Sequence, residues 1–477
     1  MTTFTESTAA DVDAAARSAQ AAFNSYGSSD APTRARLLRG LADALEADRE
    51  RLVALADAET NLGPARLNGE LDRTTFQLRG FATQVEQGVA FAFTDDPAVA
   101  GAPPVGHPSL MRVRVPVGPV AMFSASNFPF AFSVLGGDTA SALAAACPVV
   151  VKGHPGHPKL SQAVAELSHG VVKAQGLPAG VFSMVQGAGH EVGVALIQHP
   201  AIEAAAFTGS VRGGLALEKA ARERRRPIPF YGELGSINPI VALPSAIAAK
   251  GAELAAGLAN SITMGCGQFC TSPGVILVPT GDQGDAFVTA LVESLKVAKT
   301  HAMLTPQMRA NFEAGRAAWE AKAHLQRLLD DKASATEAPR PFLAQTDAAS
   351  FIADTHLHDE VFGPAALVVR FAASTQAIEV LRAIGGTLTV TIWGADEASA
   401  DNQTLVHTAT QVAGRVLFAG YPTGVAVTAG QQHGGPFPSS TMPFTTSVGW
   451  AALDRFLRPV ALQDAPAWLA QRQGQPC

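Results

Sequence analysis

Short apolar runs alternate with helical segments from residue 117 onward. The runs VGPVAMFSA, PVVVK, VFSMV and IEAAAF are apolar throughout, and each is followed by a segment whose apolar residues recur at helical spacing. Strands buried on both faces, each leading into a helix, are typical of a parallel sheet covered by helices. Because such crossovers are right-handed, the pattern predicts a doubly wound α/β fold of nucleotide-binding type.

A second alternation of the same kind begins near residue 239. It contains the runs PIVAL, GVILVP, AALVVRF, TLTVTIW and GRVLFA, and it predicts a second α/β domain. Residues 8–60 have the spacing of amphipathic helices, and residues 301–350 are predicted to be helical and then loop-like. The run MRVRVPV alternates apolar and charged residues, which is typical of an exposed strand.

Composition and charge narrow the class of protein. The chain has 477 residues, of which 47% are hydrophobic and 16% are charged, which favours folded domains over disorder. A net charge of -6 gives no general attraction to nucleic acid or to an anionic membrane, so neither is predicted as a partner. With four cysteines and neither a signal peptide nor an apolar span in the sequence, we predict a cytoplasmic protein.

Polar residues follow successive strands of the first predicted sheet. They are Asn127, Lys152, Ser210 and Glu233, and Gly209 before Ser210 contributes a backbone N–H. Ligands of doubly wound folds bind at the carboxyl ends of the strands, so these residues are candidates for a binding site. Each also has an ordinary structural interpretation, such as a turn asparagine or a solvated loop glutamate. The sequence contains no P-loop, HExxH or GxSxG pattern, and the glycines of GAGHEVG do not have the GxGxxG spacing.

The segment GCGQFCTSPG places Cys266 and Cys270 four positions apart. An unpaired cysteine is most often a small buried hydrophobe. If the segment is helical, the two thiols share one face and could form a reversible disulfide, although the geometry within a regular helix is poor for that bond. The residues alone leave these alternatives open.

Seven motifs in order along the chain resemble the aldehyde dehydrogenase superfamily: SASNFPF, VVVKGHPGHP, FTGS, ELGSINP, GQFCTSPG, DEVFGP and the terminal TSVG with RFLRPV. The resemblance covers nearly the whole chain. It implies a Rossmann-like cofactor-binding domain formed by residues 1–107 and 118–235. It also implies a catalytic domain at 236–432 and oligomerisation strands at 108–117 and 440–465. A homodimer or homotetramer is therefore expected.

The resemblance also implies catalytic roles. Cys270 corresponds to the nucleophile that adds to the aldehyde, and Asn127 with the Cys270 backbone N–H corresponds to the oxyanion site. Glu233 corresponds to the general base that activates water to hydrolyse the thioester. Such a base disfavours the alternative in which coenzyme A resolves the thioester. No metal is predicted, and a non-catalytic scaffold with the same fold is the remote alternative.

Cofactor contacts follow from the same resemblance. It implies that Lys152 binds the adenosine ribose, that Gly209 and Ser210 face the pyrophosphate, and that Glu360 holds the nicotinamide ribose. Phe362 is expected to pack near the nicotinamide.

The residue three positions after Lys152 affects the choice between NAD and NADP. Many NAD-preferring members have a glutamate there, whereas this chain has Pro155. With His154, His157 and Lys159 as further sources of positive charge, the sequence favours NADP over NAD.

Within the superfamily, the chain is most similar to the 2,5-dioxovalerate (α-ketoglutaric semialdehyde) dehydrogenases and to a related NADP-linked long-chain aldehyde dehydrogenase. The matching stretches are RLNGELDRTTFQLR, the segment from SNFPF to GHPGHP, and HGGPFPSSTMPFTTSVG. His433 lies in the His-Gly-Gly-Pro motif of this branch and is a candidate catalytic residue. Its alternative interpretation is a turn histidine.

The aldehyde predicted first is 2,5-dioxovalerate, and a medium- or long-chain fatty aldehyde is the alternative. A dicarboxylic semialdehyde requires an arginine or a cluster of hydroxyls for its far carboxylate, and the sequence does not place an arginine in the pocket. The candidate hydroxyls are those of Ser439, Ser440, Thr445, Thr446 and Ser447. A long aldehyde would instead need an apolar channel, for which the candidates are Phe128, Phe130, Phe269, Phe437 and Phe444.

Overall fold

The computed structural model describes residues 5–334 and 337–470. The helices are α1 Ala9–Tyr26, α2 Ala31–Ala47, α3 Arg49–Thr60, α4 Pro64–Glu86, α5 Gly137–Ala144, α6 Pro158–Ala174, α7 Glu191–Gln198, α8 Val211–Arg222, α9 Pro244–Thr263, α10 Asp282–Val297, α11 Pro306–Glu320, α12 Ala348–Ala353, α13 Ser374–Ile384, α14 Ala400–Val412 and α15 Ala467–Ala470. The strands are β1 Thr94–Asp96, β2 Leu110–Pro116, β3 Val120–Phe123, β4 Val149–Lys152, β5 Phe182–Val185, β6 Ala204–Thr208, β7 Phe230–Glu233, β8 Ile240–Ala242, β9 Val275–Pro279, β10 Gln326–Asp330, β11 Phe342–Asp347, β12 Ala365–Phe371, β13 Thr387–Trp393, β14 Ala413–Leu417 and β15 Leu457–Gln463. None of the helices in these ranges has the length and apolar character needed to cross a membrane.

The first sheet is parallel throughout and has the strand order β5-β4-β3-β6-β7. Along β3, Val120 and Met122 join the hydrophobic cluster on one face, whereas Ala121 and Phe123 join the cluster on the other. Both faces are therefore buried, as the uniformly apolar runs predicted. The strand order reverses between β3 and β6, which opens a crevice at the carboxyl ends of the strands. The predicted α/β fold class is confirmed.

The second sheet has seven strands in the order β10-β11-β12-β9-β8-β13-β14. All neighbours are parallel except β10 and β11, which pair antiparallel at one edge. The prediction of loop-like structure in the second half of 301–350 was wrong, because β10 and β11 lie there. The sequence QRLLD of β10 is largely polar, since an edge strand has a half-exposed face and lacks the apolar signature of a central strand.

A third sheet has the order β1-β2-β15, and β2 pairs antiparallel with β15 along its full length. Of the predicted strand segment 440–465, residues 457–463 form a strand, whereas residues 450–456 form a 3₁₀ helix. That helix is anchored by Arg455, whose Nη2 donates to Asp138 on α5 over 2.7 Å, with both side chains almost fully buried. Removing either partner of a buried pair leaves an uncompensated charge, which typically costs about 3–5 kcal/mol.

Candidate active site

Cys270 lies in an irregular segment after α9. Gly265 and Cys266 have φ values of 57° and 60°, in the left-handed region, so the chain leaves the helix before it reaches Cys270. The Asn238 side-chain amide donates to the Cys270 carbonyl over 2.8 Å and fixes its backbone. The helical spacing assumed for a Cys266–Cys270 disulfide is therefore wrong.

The described cysteines are unpaired and differ in environment. Cys266 and Cys147 are wholly buried, and burial raises the pKa of the Cys266 thiol to about 11. Cys270 is half-buried and faces other titratable groups. Cys266 and Cys147 therefore pack as small apolar residues, and Cys477 lies outside the described residues.

Cys270, His433 and Glu233 come together. His433 Nε2 lies 3.6 Å from Cys270 Sγ and 2.9 Å from Glu233 Oε1. One ligand-capable atom from each residue lies within 4.8 Å of the others. Glu233 is the last residue of β7, which agrees with its predicted position at a strand end. The arrangement places a nucleophile beside a carboxylate that can accept its proton, and one imidazole nitrogen contacts both groups.

Two consecutive residues hold His433 and Glu233 in place. The His433 backbone N–H donates to Thr446 Oγ1 over 2.8 Å, and the Ser447 hydroxyl donates to Glu233 Oε2. The Ser447 backbone N–H also donates to the His433 carbonyl over 2.8 Å. These hydroxyls were candidates for substrate binding, but the structure uses them to fix the proton acceptors. The sequence did not predict this role.

Burial and neighbouring charges shift the pKa values of Glu233 and Cys270 in opposite directions. Burial acts to raise the pKa of Glu233, but His433 and the hydrogen bonds to the carboxylate outweigh it and lower that pKa. Burial and the Glu233 charge raise the pKa of Cys270 well above its ordinary value. At neutral pH the site therefore holds an ionised carboxylate beside a protonated thiol.

Asn127 and the Cys270 backbone N–H lie on adjoining segments. The Asn127 side-chain amide donates one hydrogen bond to the Gln268 carbonyl over 2.9 Å, which leaves its second N–H for a ligand. The Asn127 backbone carbonyl accepts a hydrogen bond from Arg66 Nη2 over 2.6 Å. The Cys270 backbone N–H has no partner among residues 5–334 and 337–470. Two N–H groups are thus available for an oxygen bound near Sγ.

The crevice at the ends of β4 and β6 contains the predicted Lys152, Gly209 and Ser210. Lys152 Nζ donates to the Gly187 carbonyl over 2.7 Å, and burial lowers the pKa of Lys152 to about 8. Ser210 is the exposed N-cap of α8, and its hydroxyl accepts from the Gly213 N–H over 3.2 Å. A helix N-terminus that opens into the crevice suits an anionic ligand such as a pyrophosphate.

Glu360 and Phe362 line a cavity between the segments 236–237 and 359–363. A Cβ on Gly235 would lie 2.8 Å from Glu360 Oε2, so a larger residue there would displace the carboxylate. Burial raises the pKa of Glu360 to about 8. The acceptor atoms of this carboxylate suit ribose hydroxyls, which are hydrogen-bond donors.

The two histidines after β4 do not carry positive charge at neutral pH. Burial lowers the pKa of His154 well below its usual value, and His157 and Lys152 lower it further. Burial also lowers the pKa of His157, whose ring lies 3.0 Å from the Ala125 carbonyl. The prediction that these histidines supply charge was wrong. Pro155 is half-exposed between them.

The five phenylalanines predicted for an apolar channel do not lie together. Phe128 and Phe269 stack edge to face with their centroids 5.0 Å apart, and Arg66 covers both rings. Phe130 is in the core, whereas Phe437 and Phe444 are 60% and 97% exposed in this chain. The sequence also missed the partly buried arginines Arg66, Arg73 and Arg415, because their positions resembled solvated faces.

The chain is similar to known proteins over most of its length. The sequence model of the aldehyde dehydrogenase family matches residues 1–436 of this chain. The alpha-ketoglutaric semialdehyde dehydrogenase 2 of Azospirillum brasilense is 42% identical over 462 residues, which are 96% of this chain and 87% of that protein. The alpha-ketoglutaric semialdehyde dehydrogenase of Acinetobacter baylyi is 38% identical over 97% of this chain and 88% of its own length.

Solved structures show the same fold. Betaine aldehyde dehydrogenase from Staphylococcus aureus superposes with a TM-score of 0.81 at 23% identity, over 97% of this chain and 89% of that one. A salicylaldehyde dehydrogenase from Pseudomonas putida gives a TM-score of 0.81 at 20% identity, over 97% and 91% of the two chains.

Proposed function

Because this chain belongs to the aldehyde dehydrogenase family, whose members use NAD(P)⁺, we propose that it oxidises 2,5-dioxovalerate to 2-oxoglutarate. The observation that carries the substrate is the match, over at least 96% of the chain, to two relatives named for this semialdehyde. The grouping of Cys270, His433 and Glu233 supports the chemistry.

In the first step, Cys270 Sγ forms a bond to the aldehyde carbon. The thiol proton passes to the pair formed by His433 and Glu233, which lie within reach of Sγ. The carbonyl oxygen becomes an oxyanion and accepts hydrogen bonds from Asn127 Nδ2 and the Cys270 N–H. One such donor is typically worth roughly 3–4 kcal/mol in the transition state.

Residues around the crevice fit a nicotinamide dinucleotide. We assign Lys152 to the adenosine ribose, Gly209 and Ser210 to the pyrophosphate, and Glu360 and Phe362 to the nicotinamide side. A dinucleotide held by these residues would supply the acceptor for the hydride of the substrate carbon, whose loss converts the Cys270 adduct to a thioester. The chain's own contribution is to hold the substrate carbon against the cofactor crevice through the bond to Cys270.

The last step releases the acid. After the thiol proton has passed from the pair to solvent, Glu233 accepts a proton from water, the water oxygen bonds to the acyl carbon of the Cys270 thioester, and the sulfur leaves as a thiolate. A lowered pKa keeps the Glu233 carboxylate ionised and able to accept this proton. A base already in position favours water over coenzyme A as the acyl acceptor.

We further propose that NADP is preferred to NAD. Pro155 places no carboxylate beside Lys152 that would repel a 2′-phosphate. Because His154 and His157 are neutral, the preference depends on this absence of repulsion and on Lys152, and we expect NAD also to be accepted.

The test is a matrix of kcat/KM values for 2,5-dioxovalerate, succinic semialdehyde and hexanal, each measured with NAD and with NADP. We expect 2,5-dioxovalerate to have the highest value with either cofactor, and the value with NADP to exceed that with NAD. A higher kcat/KM for hexanal would contradict the proposed substrate. Production of acyl-CoA on addition of coenzyme A would contradict hydrolysis.

We propose a homodimer or a homotetramer. Strand β15 lies at the edge of the third sheet, so its outer hydrogen-bonding groups are free to pair with another chain. None of its residues is fully buried, as expected for a strand that lacks a partner on one side. Light scattering at micromolar concentration should give two or four times the chain mass, and a mass of one chain would contradict the proposal.

A further inference from the structure

Arg73 on α4 carries a guanidinium that is only partly satisfied. Its Nη1 donates to the Val425 carbonyl, while its Nε and Nη2 are buried and have no hydrogen-bond partner within residues 5–334 and 337–470. A charged donor that is buried without an acceptor is costly, and such a group in a native protein calls for an explanation such as a ligand.

The two unpaired atoms lie on one edge of the guanidinium. Nε–H and one Nη2–H point in the same direction at a spacing that matches the two oxygens of a carboxylate. The other arginines near the site lack this free edge. Both Nη groups of Arg415 donate to backbone carbonyls, and Nη2 of Arg66 donates to Asn127.

Arg73 lies near the catalytic group, with Phe132 between them. Its guanidinium carbon is 5.6 Å from the centroid of the Phe132 ring, and that ring is 6.4 Å from the His433 ring. The charges of Cys270 and Glu233 both act on Arg73, although burial dominates and lowers its pKa. Four C–C bonds of about 1.5 Å separate the aldehyde carbon from the carboxylate carbon, so extended 2,5-dioxovalerate spans about 5 Å.

No acidic side chain neutralises Arg73. Two acids precede it on its own helix. Asp72 is exposed and pairs with Arg49 over 2.6 Å. Glu70 accepts hydrogen bonds from the N–H groups of Phe130 and Ala131, over 2.7 and 3.0 Å. Among the described residues, Arg73 forms no ion pair with any carboxylate. Its charge is therefore available to an anion that enters the pocket.

The hydroxyls that could have bound the carboxylate are already engaged. Thr445, Thr446 and Ser439 donate to backbone carbonyls, and Ser447 donates to Glu233. The Ser440 hydroxyl accepts from the Met442 N–H. Of these hydroxyls, only the Ser440 proton lacks an acceptor among the described residues, so they offer one donor at most, whereas Arg73 offers two on one edge.

We propose that the Nε–Nη2 edge of Arg73 binds the far carboxylate of the semialdehyde and sets the preference for aldehydes that carry a terminal acid. The proposal rests on the proposed function and names the residue that recognises its substrate class. Arg73 binds the substrate carboxylate, whereas Cys270 forms the bond to the aldehyde carbon.

The experiment compares R73M and R73K with wild type, using 2,5-dioxovalerate and pentanal, two five-carbon aldehydes that differ in the carboxylate. R79M is the matched control, because Arg79 lies on the same helix but is exposed and paired with Asp43. We expect the ratio of kcat/KM for 2,5-dioxovalerate to that for pentanal to fall about 10- to 100-fold in R73M, mainly through KM. R73K should keep part of the ratio, and R79M should match wild type.

A second readout uses glutarate, a dicarboxylate that cannot react, as an inhibitor of pentanal oxidation. Its inhibition constant should rise in R73M by a similar factor. If wild type prefers 2,5-dioxovalerate and R73M keeps both the ratio and the glutarate affinity, the proposal for Arg73 is overturned and the proposed function stands. If wild type shows no preference over pentanal, both are overturned. Should R73M fail to fold, R73K and R73Q carry the same test.

Discussion

Replacement of Cys270 by serine is expected to lower kcat with 2,5-dioxovalerate on the order of 10⁴-fold, because a neutral hydroxyl replaces the sulfur nucleophile. The affinity for NADP should stay within about twofold of wild type, since Lys152, Ser210 and Glu360 lie on other segments and are untouched. Steady-state absorbance of NADPH gives the first quantity, and fluorescence titration of the cofactor gives the second.

The matched control for this variant is Cys266→Ser. Cys266 is wholly buried and four positions away, so the change should lower the melting temperature while kcat is maintained. Turnover by Cys270→Ser within tenfold of wild type would show that the thiol at position 270 is not the nucleophile. A loss in both variants would point to damage to the segment that holds them.

Glu233→Gln is expected to have the second largest effect, a reduction of kcat of roughly 10²- to 10³-fold, because the amide cannot accept a proton from water. His433 Nε2 remains 3.6 Å from Sγ and can still accept the thiol proton, so hydrolysis is the step impaired most. Rapid mixing should therefore still show a burst of NADPH approaching one equivalent per site. A slow rate without a burst would contradict the assignment of Glu233 to the hydrolytic step.

In the same variant we expect the reactivity of the Cys270 thiol to increase, although turnover decreases. The Glu233 charge raises the pKa of Cys270, so its removal lowers that pKa and increases the thiolate fraction at any pH below it. Alkylation of Cys270 by iodoacetamide at pH 8 should therefore be faster in Glu233→Gln than in wild type. Both proteins carry Cys477→Ser, and the modified peptide is identified by mass spectrometry. Slower alkylation would mean that Glu233 is needed to deprotonate the thiol.

The positions of the chemical groups along the first sheet were predictable from local sequence. A uniformly apolar run followed by a polar residue places that residue at the carboxyl end of a buried strand, and Lys152 and Glu233 end β4 and β7 in this way. The GQFC motif identified Cys270 only through resemblance. Spacing alone left a helix there as an open alternative, because it cannot detect the left-handed backbone of Gly265 and Cys266.

Contacts between distant parts of the chain could not be predicted. Arg73 lies in a helix with polar residues around it, so it resembles a solvated position, and its backbone acceptor Val425 is 352 positions away. Likewise, Thr446 and Ser447 have the composition of a loop. Their role depends on the tertiary fold, which brings them to His433 and Glu233.

Thr446 and Ser447 are adjacent in sequence, so His433 and the Glu233 carboxylate are hydrogen-bonded to the same short segment of the chain. Glu233 is also held by β7, which pairs with β6, so a shift of residues 446–447 would move His433 relative to the carboxylate and the sulfur. Because His433, Ser447 and Cys270 all lower the pKa of Glu233, such a shift would change the basicity of the carboxylate together with the activation of the sulfur. The three groups are therefore tuned as one unit.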